Sequence, residues 1–532
     1  MSDQSIKITG ETKTAGETKA SLAQTIVAAR AAQPVWAALP YRARARHLKQ
    51  AARYLGAHID ELVELIHADN GKLKLDALAA EVLPAIMALQ YYIRQGKRFI
   101  ASKTIKGGSL LMFNKQSRLI YKPYGVIGII SPWNYPFAIP FSEVVMALLA
   151  GNAVVLKVAS DTPNVGRFLE ALFTAADLPP GLFNYIEMPG REAGPAFIDC
   201  GVDKLCFTGS TAVGRELAAL ATPKLLPLVL ELGGADAAII CADADLDRAA
   251  AGILWSGFSN AGQSCGGAQR ILVHETVYLE FLAKLCALVQ NLRPGDTPDS
   301  DLGPMTTLRQ KQTVQRQIEA CLAQGAQIAA QSPVPDTDRL TLAGTTPGEA
   351  AGPAADASHY LPAIILTSVT ETMPVMAEEI FGPVVCVVPV SNDEEALCLA
   401  NASPYGLTGS VWTRSPRRAK YLAARINAGA VMINDHLMSH GLAETPWGGF
   451  GASGLGRTHG EPGFREMLKT QVIVNDTLPG VKRDLFWHPY SAKVYRGMRA
   501  ATEFLGGPTV GGRFKALFGL VKIFFRYWEG VP

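Results

Sequence analysis

Short apolar runs that alternate with helix-length stretches are the feature that most restricts the fold of this 532-residue chain. The first series of runs lies at 127–130, 153–156, 204–207, 227–230 and 237–240, and a second series includes 270–273, 384–390 and 430–433. Parallel strands that are buried on both faces have such continuous apolar sequences, and each needs a crossover, usually a helix, to reach its neighbour. The pattern therefore predicts an α/β protein with mostly parallel sheets that are covered by helices on both faces.

The chain is too long for one hydrophobic core, so we expect several domains. Residues 1–20 have almost no large apolar side chain, which predicts a flexible tail. From about 21 to 100 the spacing of Ala, Leu and Ile predicts three amphipathic helices. The aperiodic stretch 331–358 is dense in Pro, Gly, Ala, Asp and Thr and predicts a long surface loop, to which we assign no function.

Charge and cysteine content exclude several classes of protein. The formal net charge is only +3, so nothing indicates a nucleic-acid partner, and the basic residues at 41–47 are typical of a solvated helix face. The eight cysteines include no CxxC pair and no His cluster at metal-ligand spacing, so no metal is expected. Together with a polar N-terminus that is unlike a signal peptide, the free thiols indicate the cytoplasm.

The strongest functional signal is a cysteine paired with an upstream carboxylate. Cys265 is surrounded by small residues, and Glu231 begins a Gly-flanked turn earlier in the chain. A thiol can attack a carbonyl carbon, and a carboxylate can then activate water. A single cysteine is more often a buried inert thiol, so this reading depends on the motifs that accompany it.

Three further signals follow predicted strands. Asn134 lies between two prolines in PWNYP (132–136), where a rigid side-chain amide could stabilise an oxyanion, although such a loop is more often a packed turn. Ser210 lies in FTGSTAVG (207–214), which opens a helix and suits either a phosphate or a simple N-cap. Lys157 ends a strand, and it could bind a cofactor ribose or be a surface lysine.

Two glycine-containing segments come later in the chain. EEIFGP (378–383) places two carboxylates before a rigid turn. One of them could bind a ribose diol, although acidic residues near a turn are usually just solvated. PWGGFGASGLGR (446–457) is dense in glycine and suits close approach to another chain or to a ligand.

The joint order of these motifs resembles the aldehyde dehydrogenase superfamily over roughly residues 21–480: PWNYP, KVAS, FTGSTAVG, ELGG, GQSC, EEIFGP and PWGGFGASGLGR. The resemblance implies two Rossmann-like α/β domains with parallel sheets and a small β element that forms homodimers or homotetramers. We expect a tail at 1–20, a cofactor-binding domain at 21–112 and 124–233, a catalytic domain at 234–445, oligomerisation strands at 113–123 and 468–479, a Gly-rich return segment at 446–467, and an extension at 480–532.

The resemblance also implies a mechanism and its residues. Cys265 attacks the aldehyde, the Asn134 amide and the Cys265 backbone N–H hold the oxyanion, and Glu231 activates the water that hydrolyses the thioester. Glu379 binds the nicotinamide ribose, Lys157 the adenosine ribose and Ser210 the pyrophosphate. The expected cofactor-binding residues are Trp133, Lys157, Ser160, Gly209, Ser210, Gly214, Glu379 and Phe381.

The chain departs from the family pattern in two places. Many NAD-preferring members have Glu where this chain has Ser160, and without that carboxylate we expect NADP to be accepted, alone or alongside NAD. Ala235 and Asp236 replace the usual Lys after ELGG, and we have no account of this change. Glu231 argues against a coenzyme A-acylating enzyme, because such members typically lack the base. A non-catalytic structural protein on the same scaffold is the other alternative, although such proteins tend to lose the nucleophile or the base.

The extension at 480–532 contains an apolar segment. Between 514 and 529 the charges fall at 515, 522, 526 and 529, which gathers them on one side of a predicted helix. Such a helix is roughly 22 Å long at about 1.5 Å per residue, shorter than the ~30 Å hydrocarbon core, so it predicts peripheral membrane contact. The alternatives are packing within the dimer or covering the substrate entrance. Similar tails in family members that oxidise long-chain aldehydes imply an apolar, long-chain aldehyde. The aromatic residues opposite the charges are Phe514, Phe518, Phe524, Phe525, Tyr527 and Trp528.

Overall fold

The computed structural model describes residues 18–335 and 357–528. Its strands, numbered in chain order, are β1 Lys103–Ile105, β2 Lys115–Pro123, β3 Val126–Ile130, β4 Ala153–Lys157, β5 Phe183–Tyr185, β6 Lys204–Thr208, β7 Leu228–Glu231, β8 Asp236–Ile240, β9 Ala268–His274, β10 Gln327–Gln331, β11 Ile364–Thr367, β12 Val384–Val390, β13 Tyr405–Gly406, β14 Thr408–Trp412, β15 Ala430–Ile433, β16 Phe450–Gly451, β17 Gly454–Leu455 and β18 Leu468–Asp476.

Its α-helices are α1 Lys19–Ala38, α2 Tyr41–Ala57, α3 Ile59–Asn70, α4 Lys74–Ala77, α5 Leu83–Phe99, α6 Ala138–Ala150, α7 Pro163–Ala175, α8 Gly190–Cys200, α9 Thr211–Ala221, α10 Leu246–Phe258, α11 Glu275–Gln290, α12 Leu308–Ala323, α13 Pro374–Ala377, α14 Asp393–Asn401, α15 Pro416–Ala423, α16 Gly460–Glu466, α17 Ala492–Gly506 and α18 Val510–Phe524. A π-helical segment, Leu78–Val82, joins α4 to α5.

The predicted α/β class is confirmed, and two local predictions need correction. Every apolar run predicted as a strand contains one, and the strands at 384–390 and 430–433 have the predicted bounds. The region 21–100 was predicted to hold three helices, but it holds four long helices (α1, α2, α3 and α5) and two short helical segments between α3 and α5. Helix α1 begins at Lys19, inside the predicted tail, and the rest of that tail up to residue 17 lies outside the described residues. Most of the predicted 331–358 loop, residues 336–356, also lies outside them.

The chain divides into two compact units, and the first comprises the described residues of 1–101 and 121–469. It contains a six-stranded sheet in the order β17-β7-β6-β3-β4-β5 and a seven-stranded sheet in the order β10-β11-β12-β9-β8-β14-β15. The pairs are parallel except β17 with β7 and β10 with β11. Helix α6 is buried along its whole length beside the first sheet, which is expected for a helix that is apolar on all sides.

Parallel pairing places the functional residues of the first sheet together. The loop after β3 and the last residues of β4, β6 and β7 share its carboxyl edge. This edge therefore carries Asn134, Lys157, Thr208 and Glu231, and it is where open α/β sheets bind ligands.

The second unit comprises the described residues of 102–120 and 470–532. Its strands contribute to a three-stranded sheet in the order β1-β2-β18, in which β18 is exposed along nearly all its length. Helices α17 and α18 form a hairpin, and a small core unites Leu485, Ala501, Leu520, Ile523 and Tyr527. Within the described residues, no helix combines the length and hydropathy needed to cross a membrane.

The C-terminal helix differs from the helix predicted over 514–529. Helix α18 ends at Phe524 and a 3-10 turn, Phe525–Trp528, follows, while Glu529 lies outside the described residues. Arg526 was predicted on the charged side of the helix, opposite the aromatic residues, but it is buried and its guanidinium donates to the carbonyl oxygens of Trp487 and Pro489. Tyr527 was predicted on the aromatic face, but it is fully buried. Tertiary contacts reorient both side chains, and a helical repeat carries no information about such contacts.

Candidate active site

A cavity of about 1060 Å³ in the first unit collects nearly all the predicted site residues. It lies at the carboxyl edge of the six-stranded sheet, and loops that precede β9 and β12 close its other side. Gly214 does not line the cavity, because it packs inside α9 where an added Cβ would lie 2.5 Å from Leu232. The lining includes Trp133, Asn134, Lys157, Ser160, Gly209, Ser210, Glu231, Cys265, Glu379 and Phe381.

The loop before Cys265 has an unusual backbone that brings the thiol into the cavity. Asn260 and Ala261 both have φ of 53°, and Gly262 has φ of 69°. A Cβ at Gly262 would lie 2.1 Å from the carbonyl oxygen of Gly382, so only glycine fits there. Gln263 is fully buried and its Oε1 accepts a hydrogen bond from the Thr306 backbone N–H at 2.9 Å. These contacts fix the position of the cysteine.

The Asn134 side chain lies against the cysteine loop. Its Nδ2 donates to the carbonyl oxygen of Gln263 at 3.0 Å. Its own backbone carbonyl accepts hydrogen bonds from Lys72 Nζ at 2.7 Å and from Asn260 Nδ2 at 3.1 Å. A side-chain amide has two N–H bonds, so one remains for a ligand in the cavity.

The environment of Cys265 favours its neutral form. Burial raises the pKa of the thiol, and the carboxylates of Glu379, Asp236 and Glu231 raise it further. The thiol of the free protein is therefore mostly protonated at neutral pH, and its reactivity increases as the pH rises.

Glu231 is a buried carboxyl group with no hydrogen-bond partner among the described residues. Burial raises its pKa well above the usual value, and the nearby Glu143 and Glu466 raise it further, whereas the Arg457 guanidinium lowers it. An unpartnered carboxyl group that lines a cavity is free to take a proton from a molecule inside it.

The glycine-dense return segment comes close to Glu231, as its composition suggested. Gly448 has φ of 137°, and a Cβ there would lie 2.8 Å from Glu231 Oε1. Gly454 pairs with Glu231 across β17 and β7, and a Cβ there would lie 2.0 Å from the carbonyl oxygen of Leu230. The two glycines therefore let the segment cover the carboxyl group.

The end of the cavity near α9 combines a cation with unpartnered donors. Lys157 is buried, which lowers its pKa, although the Asp161 carboxylate opposes this effect. The Ser210 hydroxyl caps α9 by accepting from the Val213 N–H at 3.5 Å, and the buried Thr208 hydroxyl has no partner among the described residues. A helix N-terminus beside a lysine suits a phosphate-containing ligand.

Another part of the cavity wall consists of Glu379, Phe381 and Trp133. Glu379 accepts a hydrogen bond from the Gly234 N–H at 3.3 Å, and burial raises its pKa to about 8. Phe381 has φ of 53°, and its ring meets Trp133 edge-on at 5.4 Å between centroids.

Four ionisable residues are among the lining residues that sequence reasoning did not single out. Glu143 is the single carboxyl group in the apolar helix α6, which was the available signal, and burial raises its pKa to about 8. Arg191 lines the cavity with Lys157. His440 and His459 lie 4.8 Å apart, and burial lowers both pKa values, that of His440 to about 4, so both rings are neutral at pH 7. No motif pointed to the last three residues.

Comparisons with known proteins identify the family of this chain. Residues 7–473 match the aldehyde dehydrogenase family. A 4,4'-diapolycopene aldehyde oxidase of Methylomonas sp is 34% identical over 490 residues, which are 92% of this chain and 88% of the relative. A Mycolicibacterium smegmatis protein, provisionally named a succinate-semialdehyde dehydrogenase with NADP(+), is 35% identical over 460 residues, 86% of this chain and 84% of the relative.

Solved structures extend the agreement to the fold. The betaine aldehyde dehydrogenase of Staphylococcus aureus, a point mutant in complex with NAD+, has a TM-score of 0.81 at 28% identity and covers 89% of this chain and 93% of its own. The chain therefore belongs to the aldehyde dehydrogenase family and is an NAD(P)-dependent oxidoreductase.

Proposed function

We propose that the protein oxidises an apolar, long-chain aldehyde to the carboxylic acid through a thioester on Cys265. The observation that carries this proposal is that Cys265, Asn134 and Glu231 line one cavity. The Cys265 thiol first loses its proton to solvent water, and the thiolate adds to the carbonyl carbon. The free N–H of the Asn134 amide donates to the resulting oxyanion together with the Cys265 backbone N–H. NAD(P)+, when bound, supplies the hydride acceptor. Oxidation leaves the acyl group on sulfur.

Glu231 completes the reaction in this proposal. Its ionised carboxylate takes a proton from water, the water oxygen attacks the thioester carbon, and the Cys265 thiolate leaves as the acid forms. A coenzyme A-acylating enzyme needs the thioester to survive until the thiol acceptor arrives. The buried Glu231 therefore favours hydrolysis.

The cavity residues fit a dinucleotide. The α9 N-terminus with Gly209 and Ser210 suits the pyrophosphate, and the unpartnered Thr208 hydroxyl lies in the same wall. Lys157 is assigned to the adenosine ribose, and Glu379 to the nicotinamide ribose beside Trp133 and Phe381.

We further propose that NADP+ is accepted, alone or alongside NAD+. Ser160 lines the cavity without a charge, and Lys157 and Arg191 line the same region, which favours a 2′-phosphate. The Asp161 carboxylate also lines it and opposes this attraction. Glu216 is a second carboxylate in the cavity lining, so the proposal rests on Lys157 and Arg191 rather than on a net excess of positive charge. The NADP(+) in the name of the Mycolicibacterium smegmatis relative supports the same proposal.

The variant Ser160→Glu is expected to lower kcat/KM for NADP+ by about 100-fold, because a carboxylate about 4 Å from a phosphate costs several kcal/mol at the surface. The value for NAD+ should stay constant or rise. The measurement is the ratio of the two kcat/KM values with one aldehyde. Ser160→Gln adds similar volume without charge and should change the ratio little. An unchanged ratio in Ser160→Glu, or wild-type protein that does not use NADP+, would contradict the proposal.

The part of the cavity near Glu231 favours an uncharged substrate. Its lining includes the carboxyl groups of Glu143 and Glu231 and the neutral rings of His440 and His459. None of these four groups carries a positive charge at pH 7, so they offer no counter-ion to an anionic aldehyde such as succinate semialdehyde. The relative named for 4,4'-diapolycopene, a polyene hydrocarbon skeleton, supports an apolar substrate.

We also propose that the C-terminal hairpin binds an anionic bilayer surface. On α18 and the turn after it, exposed apolar residues recur at intervals of three or four, whereas Ala516, Leu520 and Ile523 pack inward. Residues 481–532 contain nine Lys or Arg and three Asp or Glu, although the whole chain has only three more basic than acidic residues. An aromatic face next to basic side chains is typical of peripheral membrane helices. The exposed residues are Phe514, Phe518, Val521, Phe525 and Trp528.

The double variant Phe514→Asp/Phe518→Asp is expected to reduce co-sedimentation with phosphatidylserine-containing vesicles at least about tenfold, because it removes two insertable rings and adds negative charge. Wild-type oxidation of dodecanal carried in such vesicles should be faster than in the variant, and both should oxidise soluble propanal equally. Leu279→Ser is the matched control, since Leu279 is 77% exposed on α11.

Other outcomes would separate the proposal of membrane contact from the proposal of a long-chain substrate. Wild-type protein that stays in the supernatant would refute the membrane contact, and a larger oligomer that the double variant disrupts would mean that a second copy covers the face. Equal kcat/KM for propanal and dodecanal in detergent would refute the long-chain substrate.

We further propose a homodimer or homotetramer that forms through β2 and β18. Strand β18 is exposed over almost its full length, and Val472, Ile473 and Val474 are about half exposed. An exposed apolar strand is a ready surface for pairing with a second chain.

A further inference from the structure

One short segment, residues 70–81, contacts the backbone of both loops that carry the reacting groups. Asn70 Nδ2 donates to the carbonyl oxygen of Trp133 at 3.1 Å. The Asp76 carboxylate accepts from the Asn260 backbone N–H at 3.3 Å, in the strained turn before the cysteine. The segment therefore lies against the Asn134 loop and the Cys265 loop at the same time, although none of its residues lines the cavity.

An ion pair at the ends of this segment holds the Asn134 loop. Lys72 Nζ forms a salt bridge with Glu81 and donates to the carbonyl oxygen of Asn134 at 2.7 Å. The second carboxylate oxygen of Glu81 accepts from the backbone N–H groups of Phe137 at 2.8 Å and Ala138 at 3.2 Å. Helix α6 lacks a side-chain cap from its own first residues, so Glu81 supplies one. The loop is thus held at its centre and at its exit into α6.

Stability alone does not explain the pair. Both side chains are completely inaccessible to solvent, and burial lowers the pKa of Lys72 while Glu81 raises it. Removing two charges from water costs about as much as their attraction returns, and well-packed apolar residues often serve as well or better. A buried pair that adds little net stability points to another role.

The backbone near Glu81 is also unusual. Leu78–Val82 is a π-helix inside the run from α4 to α5, and Glu81 lies within it. A π turn adds one residue and so rotates the following side chains relative to a regular α-helix. Such turns are uncommon and recur at functional sites. Here the turn carries the carboxylate that meets Lys72 and the start of α6.

We propose that Lys72 and Glu81 are positioning residues that set the direction of the Asn134 amide toward the oxyanion. Lys72 fixes the Asn134 carbonyl, Glu81 fixes the loop exit, and the side-chain amide is left with one N–H for the substrate. The inference rests on the proposed role of Asn134, which the Asn134→Ala variant tests separately.

The test measures the rate of the NAD(P)H burst in Lys72→Met, Asn134→Ala and the double variant. Losing one oxyanion donor typically lowers such a rate by about 10²- to 10³-fold. We expect a tenfold to hundredfold loss of burst rate for Lys72→Met, because the Asn134 amide is still present in this variant but is misaligned. In the Asn134→Ala background, Lys72→Met should lower the rate by less than twofold further. Losses that multiply would mean that Lys72 does not act through Asn134 and would overturn the proposal.

Stability is measured in parallel. Lys72→Met should lower Tm because Glu81 is left unpaired in the interior, and adding Glu81→Gln should recover much of the Tm while the burst stays slow. If the burst rate recovers together with Tm, the pair of Lys72 and Glu81 has only a structural role and the proposal is refuted. An Asn134→Ala protein with a normal burst would instead refute the assigned role of Asn134.

Discussion

Replacing Cys265 with alanine is expected to abolish aldehyde oxidation, with a fall in kcat of at least about 10⁴-fold, because no other thiol among the described residues lines the cavity. The measurement is NAD(P)H production at saturating aldehyde. Cofactor binding, followed by quenching of protein fluorescence, should survive because the side chain removed is small.

The matched control is Cys398→Ala, which removes an exposed thiol on α14 and should leave the activity unchanged. Alkylation by iodoacetamide gives a second readout. Because carboxylates and burial raise the pKa of Cys265, its alkylation rate should increase with pH beyond the range where an ordinary thiol levels off. A Cys265→Ala protein that retains turnover would show that the nucleophile is elsewhere, and a wild-type thiol that is fully reactive at pH 6 would show that the pKa of Cys265 is not raised.

Replacing Glu231 with glutamine is expected to separate the two halves of the reaction. Steady-state turnover should fall by about 10²- to 10⁴-fold, because the base that activates water is lost. A rapid burst of one NAD(P)H per active site should remain, because acylation of Cys265 does not need this carboxylate. Stopped-flow absorbance at 340 nm measures both phases. Loss of the burst together with turnover would contradict the assignment of Glu231 to hydrolysis.

The pH dependence of hydrolysis follows from the same carboxyl group. In the proposed mechanism Glu231 is active when ionised, and burial together with Glu143 and Glu466 raises its pKa, so the deacylation rate should rise with pH over a range well above that of an ordinary carboxyl group. The Arg457 guanidinium acts in the opposite direction. Glu143→Gln removes one nearby negative charge, which should lower the pKa of Glu231 and shift the rising limb to lower pH. A limb that stays in place would mean that Glu143 does not act on Glu231.

Local sequence was sufficient to predict those structural features whose physical cause lies within a short segment of the chain. The run at 384–390 is a strand with those bounds, because a largely buried parallel strand is apolar along its length, and the run at 430–433 is the edge strand of the same sheet. The glycines at 448 and 454 have positive φ and approach other backbone atoms closely, a demand that their residue type already indicates. Most of the proposed site residues also line the cavity, because several of their motifs follow strands whose carboxyl ends meet at one edge and the others lie in the loops before β9 and β12.

The predictions that failed concern contacts between distant segments. The helical repeat predicted Arg526 and Tyr527 on opposite faces of one helix. In the structure both side chains are buried. Arg526 hydrogen-bonds to Trp487 and Pro489, and Tyr527 hydrogen-bonds to Asn114. Lys72 and Glu81 were not singled out at all. A charged pair in a region that is otherwise amphipathic helix is indistinguishable from surface residues until the burial of both is known.

The sequence by itself determined the α/β class and the family, and it predicted a nucleophile and a base, because each depends on residue type at fixed positions along the chain. Only the tertiary structure decided that Glu143 and two neutral histidines share the cavity, and that a buried ion pair from residues 70–81 holds the Asn134 loop. The physical reason is that desolvation and hydrogen bonding depend on which segments meet in space. Those segments are separated by tens to hundreds of residues, and local sequence patterns do not predict which of them come into contact.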